Sequence, residues 1–337
     1  MEVINGTLND ATFHLFDEVL DEVYGSFPQY RNFVQKVNPH RAYQYHVVIM
    51  DGQPVARCVS YINEEIKYKD EHLFFFGNFE CIHDQAVASF LLDKVEKVAR
   101  EHAKNVLIGP ISGSTWYDYR IALPPDSYGE TNPVFFTEFF TPPYYKELLN
   151  GSGFSNLASY KSTHTTHYEV DEKKLEKCKR MFEEKNIILR PIDLNNFEKE
   201  LEYIFQLSLE GFKKNFLYSS ISREEFFAKY LPLKQIAHPS TIYLAFEGDN
   251  CVGFTMSIAN MYNKKQLVMK SAARLPGFKY NGLGTYFNEI TKKGAKEMGY
   301  EELIVAFLID DGVSERTFSN ANDNETYREY EILMRRF

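Results

Sequence analysis

The order of predicted secondary-structure elements repeats across the two halves of this 337-residue chain, and the repeat constrains the fold more than any other feature. In the first half, QYHVVIMDGQPVARCVSYI predicts a β-hairpin with its turn at Asp51-Gly52, since Asp-Gly between two β-rich runs is a strong turn signature. In the second half, TIYLAFEGDNCVGFTMSIA predicts the same hairpin with its turn at 248–250. Helices precede each hairpin, and a strand, a long helix and another strand follow it. This order predicts two mixed α/β domains, each built on a largely antiparallel sheet.

The charged segment DEKKLEKCKRMFEEKN separates the two halves. Its composition predicts a solvated helix or a linker over 171–185, which leaves one domain over 1–170 and a second over 186–337. Apolar residues make up 44% of the chain, so each half can build its own core. The stretch 111–143 shows no periodicity and is rich in Pro, Gly, Tyr and Asp. A connection of this length inside a domain predicts the wall of a functional site.

A pair of glycines, Gly282 and Gly284, begins a predicted helix in FKYNGLGTYFNEITKKGAKEMGY, residues 278–300. The pair follows a predicted strand that breaks at Pro276-Gly277. Glycine lets the backbone come close to a ligand, and the amide groups of a helix N-terminus favour an anion. Pyrophosphate suits such a loop. An isolated Gly-x-Gly pair can also be a plain turn, but its position after a hairpin and a strand favours the anion site.

On these residues the second half resembles the Gcn5-related N-acetyltransferase (GNAT) superfamily. In that superfamily a Q/R-x-x-G-x-G/A motif binds the pyrophosphate of acetyl-CoA or another acyl-CoA, and this chain has Lys279-x-x-Gly282-x-Gly284. The resemblance implies that backbone amides hold the pyrophosphate and that the end of the preceding strand faces the pantetheine and the acyl group. The cofactor-binding residues that it implies are Ser271, Ala272, Ala273, Arg274, Lys279, Tyr280, Asn281, Gly282, Leu283, Gly284 and Thr285.

The whole chain resembles a group of bacterial proteins that consist of two such domains and mostly lack an assigned function. The first half carries FFGNFE before a helix, GP after the next strand, and TPPYYKELLNGSGF. The resemblance implies an α/β fold of two tandem GNAT-like domains. The first copy is degenerate, because its corresponding loop, CIHDQA at 81–86, contains no glycine. We therefore expect no CoA in the first domain and expect it to supply part of the acceptor pocket.

Acyl transfer from a thioester to an amine requires a base for the amine proton, a stabilised carbonyl oxygen and close positioning of the reactants. Glu80 and Glu138 are candidate bases, since apolar neighbours can raise the pKa of a carboxyl; the alternative for each is a paired or solvated residue. The resemblance also implies a Tyr that protonates the departing thiolate, but Phe318 aligns with it. Tyr327 or Tyr145 could replace it, the thiolate could leave unaided, or the protein could be no catalyst.

The formal net charge of −9 disfavours nucleic acid as a partner and suits a cationic amine. His164 and His167 lie three residues apart in a predicted strand, where their side chains would point to opposite faces, so we expect no metal site. No apolar run reaches the roughly 18 to 20 residues that cross a bilayer, and no secretory signal is visible. These observations predict a cytoplasmic monomer or homodimer without membrane contact.

The function that these residues predict is that of an acyl-CoA-dependent N-acyltransferase, most directly an N-acetyltransferase. Its acceptor would be an amine of a small molecule or peptide, which attacks the thioester directly. One alternative is an aminoacyl-tRNA-dependent transferase of the two-domain peptidoglycan type, against which the net charge and the glycine pair count. Another is a non-catalytic protein that binds acyl-CoA or another ligand, which Phe318 favours.

Overall fold

The structure, a computed structural model, describes residues 1–123, 133–310, 312 and 324–337. The α-helices in this part of the chain are α1 His14–Tyr24, α2 Gln85–Glu101, α3 Tyr145–Gly151, α4 Glu172–Glu183, α5 Phe197–Gly211, α6 Arg223–Tyr230 and α7 Leu283–Glu297. The strands are β1 Glu2–Gly6, β2 Ala42–Met50, β3 Gln53–Tyr61, β4 Leu73–Cys81, β5 Val106–Gly109, β6 Ile121–Ala122, β7 Ser155–Thr165, β8 Ile187–Pro191, β9 Ile242–Glu247, β10 Asn250–Ala259, β11 Gln266–Arg274, β12 Glu302–Ile309 and β13 Glu325–Arg336.

The contacts between residues divide the chain into two compact units. Unit 1 consists of Met1–Ser159, Phe216–Ser219 and Glu329–Phe337, and unit 2 consists of Tyr160–Asn215 and Ser220–Arg328. Each unit therefore contains most of one half of the chain. This division differs from the predicted boundary at 171–185, and the pairing of the strands within each unit explains the difference.

The sheet of unit 1 has the order β1-β2-β3-β4-β5-β13. Only β4 and β5 are parallel, and their ladder joins Leu73–Phe75 to Val106–Ile108. The hairpin β2–β3 turns at Asp51 and Gly52, which both have positive φ, as the Asp-Gly signature predicts. The end of β13 pairs with β5, although it is the last strand of the chain.

The sheet of unit 2 repeats this arrangement with the order β8-β9-β10-β11-β12-β7. Again one pair is parallel, β11 with β12, and all the other neighbours are antiparallel. Its outer strand β7 begins in the first half of the chain. Each sheet is therefore completed by a strand from the other half of the sequence. The mixed α/β class and the predicted repeat of element order are both confirmed.

The charged segment 171–185 forms α4, and the contacts place it inside unit 2. Leu175, Cys178 and Phe182 are buried on one face of α4, at positions i, i+3 and i+7, and pack against α7. The apolar stripe is only three residues wide among many charged ones, so the composition of the segment predicts a solvated helix instead of a packed one.

Helix α7 lies on the sheet of unit 2 at close range, which positions its N-terminus. A Cβ atom at Gly253 of β10 would lie 3.0 Å from Cζ of Phe287 and 3.1 Å from Cδ1 of Leu283. Both side chains are buried in the cluster that also contains Phe182 and Val252. A larger residue at Gly253 would push α7 away from the sheet, so this glycine permits the packing that fixes the loop before the helix.

Candidate functional site

The loop from Gly277 to Thr285 leads into α7 and leaves its N-terminus without a side-chain cap. Gly277 has a φ of 126° and Gly282, the N-cap residue, a φ of 97°, values that favour glycine. The first hydrogen bond of the helix runs from the N–H of Tyr286 to the carbonyl of the N-cap residue Gly282. The amides of Leu283, Gly284 and Thr285 thus have no intrahelical acceptor and lie at the positive end of the helix dipole. This arrangement can hold an anion.

Strand β11 leads to this loop, and its last residues have a sheet neighbour on one side only among the described strands. The parallel ladder with β12 covers Gln266–Met269, whereas the antiparallel ladder with β10 continues to Arg274. The N–H of Leu275 donates to the carbonyl of Val252 at the end of β10. Because successive residues of a strand direct their backbone groups to opposite sides, the backbone groups of Ala272 and Arg274 point away from β10. They form an open edge onto which an extended ligand can add.

Side chains around the loop bring positive charge to it. Nη1 of Arg274 donates to the carbonyls of Leu275 and Gly277, and its Nη2 donates to Oδ1 of Asn281. Nζ of Lys185 donates to the carbonyl of Lys279 at 3.1 Å. The Lys279 ammonium itself pairs with Glu247, which also accepts a bond of 3.0 Å from the hydroxyl of Tyr280. The bonds from Lys279 and Tyr280 hold the pKa of Glu247 below its usual value.

In unit 1 the corresponding helix N-terminus is capped by the chain itself. Asp84 precedes α2, and its Oδ1 accepts bonds from the amides of Ala86 at 2.8 Å and Val87 at 3.1 Å. The Asp84 carboxylate therefore occupies the place that an anionic ligand would take. That the first domain binds no CoA stays a prediction, and this contact supports it, because the Asp84 carboxylate would repel a pyrophosphate.

The open strand edge is also filled in unit 1. The N–H of Ile82 donates to Val55, so Ile82 corresponds to Leu275 of unit 2 and Cys81 corresponds to Arg274. The N–H of Cys81 donates to the hydroxyl of Tyr145 at 3.0 Å, and the carbonyl of Cys81 accepts a bond from the hydroxyl of Tyr144 at 2.9 Å. Two tyrosines of α3 and its N-terminus thus satisfy the backbone groups that remain open in unit 2.

Solved structures with the same architecture cover nearly the whole chain. A GCN5-related N-acetyltransferase from Sphaerobacter thermophilus is 10% identical with a TM-score of 0.52, and the match covers 99% of this chain and 95% of that one. The chain has the two-domain GNAT fold. A tandem GNAT protein from the clavulanic acid biosynthesis pathway is also 10% identical, with a TM-score of 0.54 and coverage of 99% and 98%. A probable N-acyltransferase from Enterococcus faecalis is 8% identical, with a TM-score of 0.55 and coverage of 99% and 72%. No family model and no curated protein sequence matches the chain.

The structure brings two of the four candidate catalytic residues together, inside the first GNAT unit. Oε2 of Glu80 accepts a bond of 2.6 Å from the hydroxyl of Tyr145 and one of 3.1 Å from the hydroxyl of Tyr24. Arg57 lies opposite Glu80 in the β3–β4 ladder, and all four side chains are buried. Burial raises the pKa of Glu80, against the lowering effect of Arg57 and the two hydroxyls. This network is closed within unit 1, and the geometry favours a structural role for it.

The other two candidates lie in different places. Glu138 is buried in unit 1, where Oε1 accepts a bond from the hydroxyl of Tyr330 and Oε2 accepts one from the amide of Phe135. Tyr327 is buried in unit 2 with its ring edge-on to His164, at a centroid distance of 5.1 Å. Phe318, the residue that aligns with the usual Tyr of the superfamily, lies outside the described residues. The catalytic roles of these residues stay predictions.

The two histidines that could suggest a metal are separated by the end of β7. His164 lies in the strand with Nδ1 2.5 Å from Oε1 of Glu302, whereas His167 follows the strand and binds Thr165 through its backbone. Among the described residues, no three His, Cys, Asp or Glu side chains are grouped so that they could hold a metal ion. In the same part of the chain, no helix combines the length and hydrophobicity that crossing a bilayer requires.

Sequence reasoning missed two residues that distinguish the two units, Asp84 and Tyr144, and it named Arg274 without the contacts that Arg274 makes. Asp84 could have been found, because an Asp directly before a periodic apolar run is an N-cap signature. The contacts of Tyr144 with Cys81 and the bonds of Arg274 to its own loop depend on tertiary structure and leave no local pattern.

Proposed function

We propose that unit 2 binds an acyl-CoA and transfers its acyl group to an amine. The observation that carries this proposal is the pairing of an open β11 edge with an uncapped α7 N-terminus, since unit 1 fills both positions with its own side chains. The amides of Leu283, Gly284 and Thr285 would hold the pyrophosphate, and the backbone of Ala272 and Arg274 would bind the pantetheine. The other residues of Ser271–Arg274 and Lys279–Thr285 would shape the site.

The chemistry of the proposed reaction is direct attack. The amine loses a proton, its nitrogen forms a bond to the thioester carbon, and the C–S bond breaks with the electron pair on sulfur, which then takes a proton. No nucleophilic side chain is required for this sequence. The GNAT fold of the structural neighbours supports the reaction class, and the net charge of −9 suits an acceptor that arrives as a cation. We propose acetyl-CoA as the donor and an amine of a small molecule or peptide as the acceptor.

Calorimetric titration with CoA and acetyl-CoA tests the donor site, with Gly284→Glu as the disrupting variant. A carboxylate in the first turn of α7 would repel the pyrophosphate, so we expect the affinity for CoA to fall at least about a hundredfold. A carboxylate at the N-terminus of a helix interacts favourably with the helix dipole, so we expect the variant to keep the stability of the fold. Gly25→Glu is the matched control, because Gly25 has a helical φ of −54° at the exposed end of α1. Wild-type protein that binds neither ligand would contradict the proposal.

A non-catalytic protein that binds acyl-CoA is the second candidate, and one observation favours it. Glu80 and Tyr145, two of the predicted catalytic residues, hydrogen-bond to each other in the buried network of unit 1. Release of free thiol from acetyl-CoA in the presence of a panel of amines separates the two candidates. The enzyme releases thiol in proportion to the acceptor supplied, whereas a binding protein gives CoA affinity without turnover.

A further inference from the structure

Phe278 has the most exposed large apolar side chain in the described part of the chain, at 93% of its full accessible area. The seven other exposed large apolar residues range from 36% to 64%. Single exposed apolar residues are common on protein surfaces, so exposure alone decides nothing. The position of Phe278 is what matters, because it stands four residues before Gly282, the N-cap of the uncapped helix α7.

The turn that carries Phe278 is held on both sides by bonds to other parts of unit 2. The carbonyl of Phe278 accepts a bond of 3.1 Å from the amide of Asn281. Before it, the carbonyl of Gly277 accepts bonds from Arg274 and from the amide of Tyr280. After it, Lys279 and Tyr280 both bind Glu247 on β9. The backbone that carries the exposed ring is therefore fixed before a ligand arrives, so that stacking would order only the side-chain torsions of Phe278.

The charged side chains around the turn suit the phosphate groups of a nucleotide. Arg274, Lys185 and Lys279 contact the loop, and Glu247 is the carboxylate that binds its side chains, so cations exceed anions there in a chain of net charge −9. Arg274 contacts the carbonyl directly before Phe278 through Nη1, at 3.3 Å. Phosphate groups would be attracted to these cations, while a flat aromatic base needs an aromatic or apolar face.

We propose that Phe278 is the stacking surface for the adenine ring of the donor, and that the donor is therefore a nucleotide thioester rather than a phosphopantetheine group on a carrier protein. This inference rests on the proposed function of unit 2. Adenine is the part of CoA that a carrier-bound phosphopantetheine lacks, and a face for adenine would be of no use to a carrier-protein donor. Phe278 thus determines donor specificity without touching the reacting atoms.

The test compares two ligands on matched variants. Dissociation constants for CoA and for free 4′-phosphopantetheine are measured with the wild type, Phe278→Ala, Phe278→Trp and the control Tyr262→Ala. Tyr262 is 53% exposed and lies before the start of β11, at the opposite end of that strand from the loop. We expect Phe278→Ala to weaken CoA about tenfold and to leave 4′-phosphopantetheine unchanged. Phe278→Trp should bind CoA at least as tightly as the wild type, and Tyr262→Ala should change neither constant.

The outcomes separate this inference from the proposal on which it rests. If the wild type binds CoA and Phe278→Ala binds it equally well, or loses both ligands to the same extent, the adenine assignment is overturned and the donor site stands. If the wild type binds neither ligand, the proposed function of unit 2 fails and the inference fails with it. Since Phe278 is almost fully exposed, its replacement leaves the core intact, and a thermal melt of each variant checks this.

Discussion

At the scale of single residues, the two GNAT units differ most at the residue before the long helix. Gly282 in unit 2 leaves the first amides of α7 open, while Asp84 in unit 1 binds the first amides of α2 through its carboxylate. Both packing and backbone conformation favour glycine at 282. A Cβ atom there would lie 3.1 Å from Cε of Met181, and a φ of 97° would strain any other residue. The two residues thus decide whether the first amides of each helix already have a side-chain partner.

His46 gives unit 1 a predictable dependence on pH. Its ring is buried between Asn5 and Ser60, and burial lowers its pKa from 6.5 to about 4. Between these values the unfolded chain holds a proton on His46 that the folded protein lacks. The contribution of His46 to stability is therefore full above pH 6.5 and is lost as the pH falls through 4, in total about 3 kcal/mol. Urea denaturation at a series of pH values should show this loss in the wild type.

The matched variants for this measurement are His46→Gln and His40→Gln, since His40 is exposed. The wild type should lose more stability than His46→Gln as the pH falls from 6.5 to 4. The His40→Gln variant should lose as much as the wild type. The raised pKa of Glu80 acts in the opposite direction, because its contribution is present below about 4.5 and is lost as the pH rises. A pH dependence equal in the wild type and His46→Gln would show that His46 is not the titrating group.

Residue-level prediction from the sequence worked where the property is local. A glycine pair after a strand predicts a turn into a helix, because glycine adopts backbone conformations that other residues avoid. The structure places Gly282 and Gly284 at the start of α7, as predicted. The role of Tyr145 depends on which strand edge its hydroxyl reaches, and the exposure of Phe278 depends on what does not pack against it. Neither property has a sequence pattern, because both depend on contacts far along the chain.

At the scale of elements, the informative comparison is between β4 and β11. Both strands are parallel to their next neighbour for three or four residues and then continue without it among the described ladders. In unit 2 the remaining edge at Ala272 and Arg274 is open, while in unit 1 Tyr144 and Tyr145 occupy it at Cys81. The sequence predicted both strands, but a strand pattern does not show where its pairing with a neighbour ends.

Tyr145→Phe tests whether this contact is structural. The change removes the hydrogen bond that the Tyr145 hydroxyl donates to Glu80 and the one that it accepts from the amide of Cys81, which leaves a buried carboxylate and a buried amide each short of a partner. We expect a loss of about 2 kcal/mol in the free energy of unfolding. Tyr144→Phe loses the hydrogen bond that the Tyr144 hydroxyl donates to the carbonyl of Cys81, so a loss of about 1 kcal/mol is expected. Chemical denaturation measures both values.

The affinity of these two variants for CoA and their rate of acyl transfer should also be measured. Because the proposed donor site lies in unit 2, both should bind CoA as tightly as the wild type. A Tyr145→Phe protein of normal stability whose acyl transfer is abolished would instead support the predicted role of Tyr145 as the proton donor to the thiolate.

At the scale of the whole molecule, the exchange of outer strands links the two halves of the sequence. The chain after 328 completes the sheet of unit 1, and residues 160–165 complete the sheet of unit 2. The repeat of element order could be predicted from the sequence, but the exchange could not, because β7 and β13 carry no information about which edge each will join. A boundary drawn between the two repeats therefore differs from the boundary that the contacts define.

Deletion of residues 329–337 should unfold unit 1, although these residues lie at the far end of the sequence. The segment contributes Ile332, Leu333 and Met334, all buried, and their loss corresponds to roughly 5–9 kcal/mol, comparable to the stability of a domain. The single tryptophan, Trp116, lies in unit 1 and donates a bond of 2.8 Å to Ser219, so its fluorescence reports on this unit. We expect the emission of the truncated protein to shift to the red.

Deletion of residues 1–6 is the matched control, since it removes the edge strand β1, which contains no buried residue. This variant should keep the emission of the wild type. A protein without 329–337 that also keeps native emission would contradict the role assigned to the exchanged strand.

Amide hydrogen exchange with and without CoA, resolved to single residues, tests the central claim most directly. We predict that CoA slows exchange at Ala272 and Arg274 and at the first amides of α7, Leu283 to Thr285. The corresponding amides of unit 1, at Cys81, Ala86 and Val87, already have partners and should not change. Protection in unit 1 alone, or no protection at the open edge and helix end of unit 2, would contradict the account.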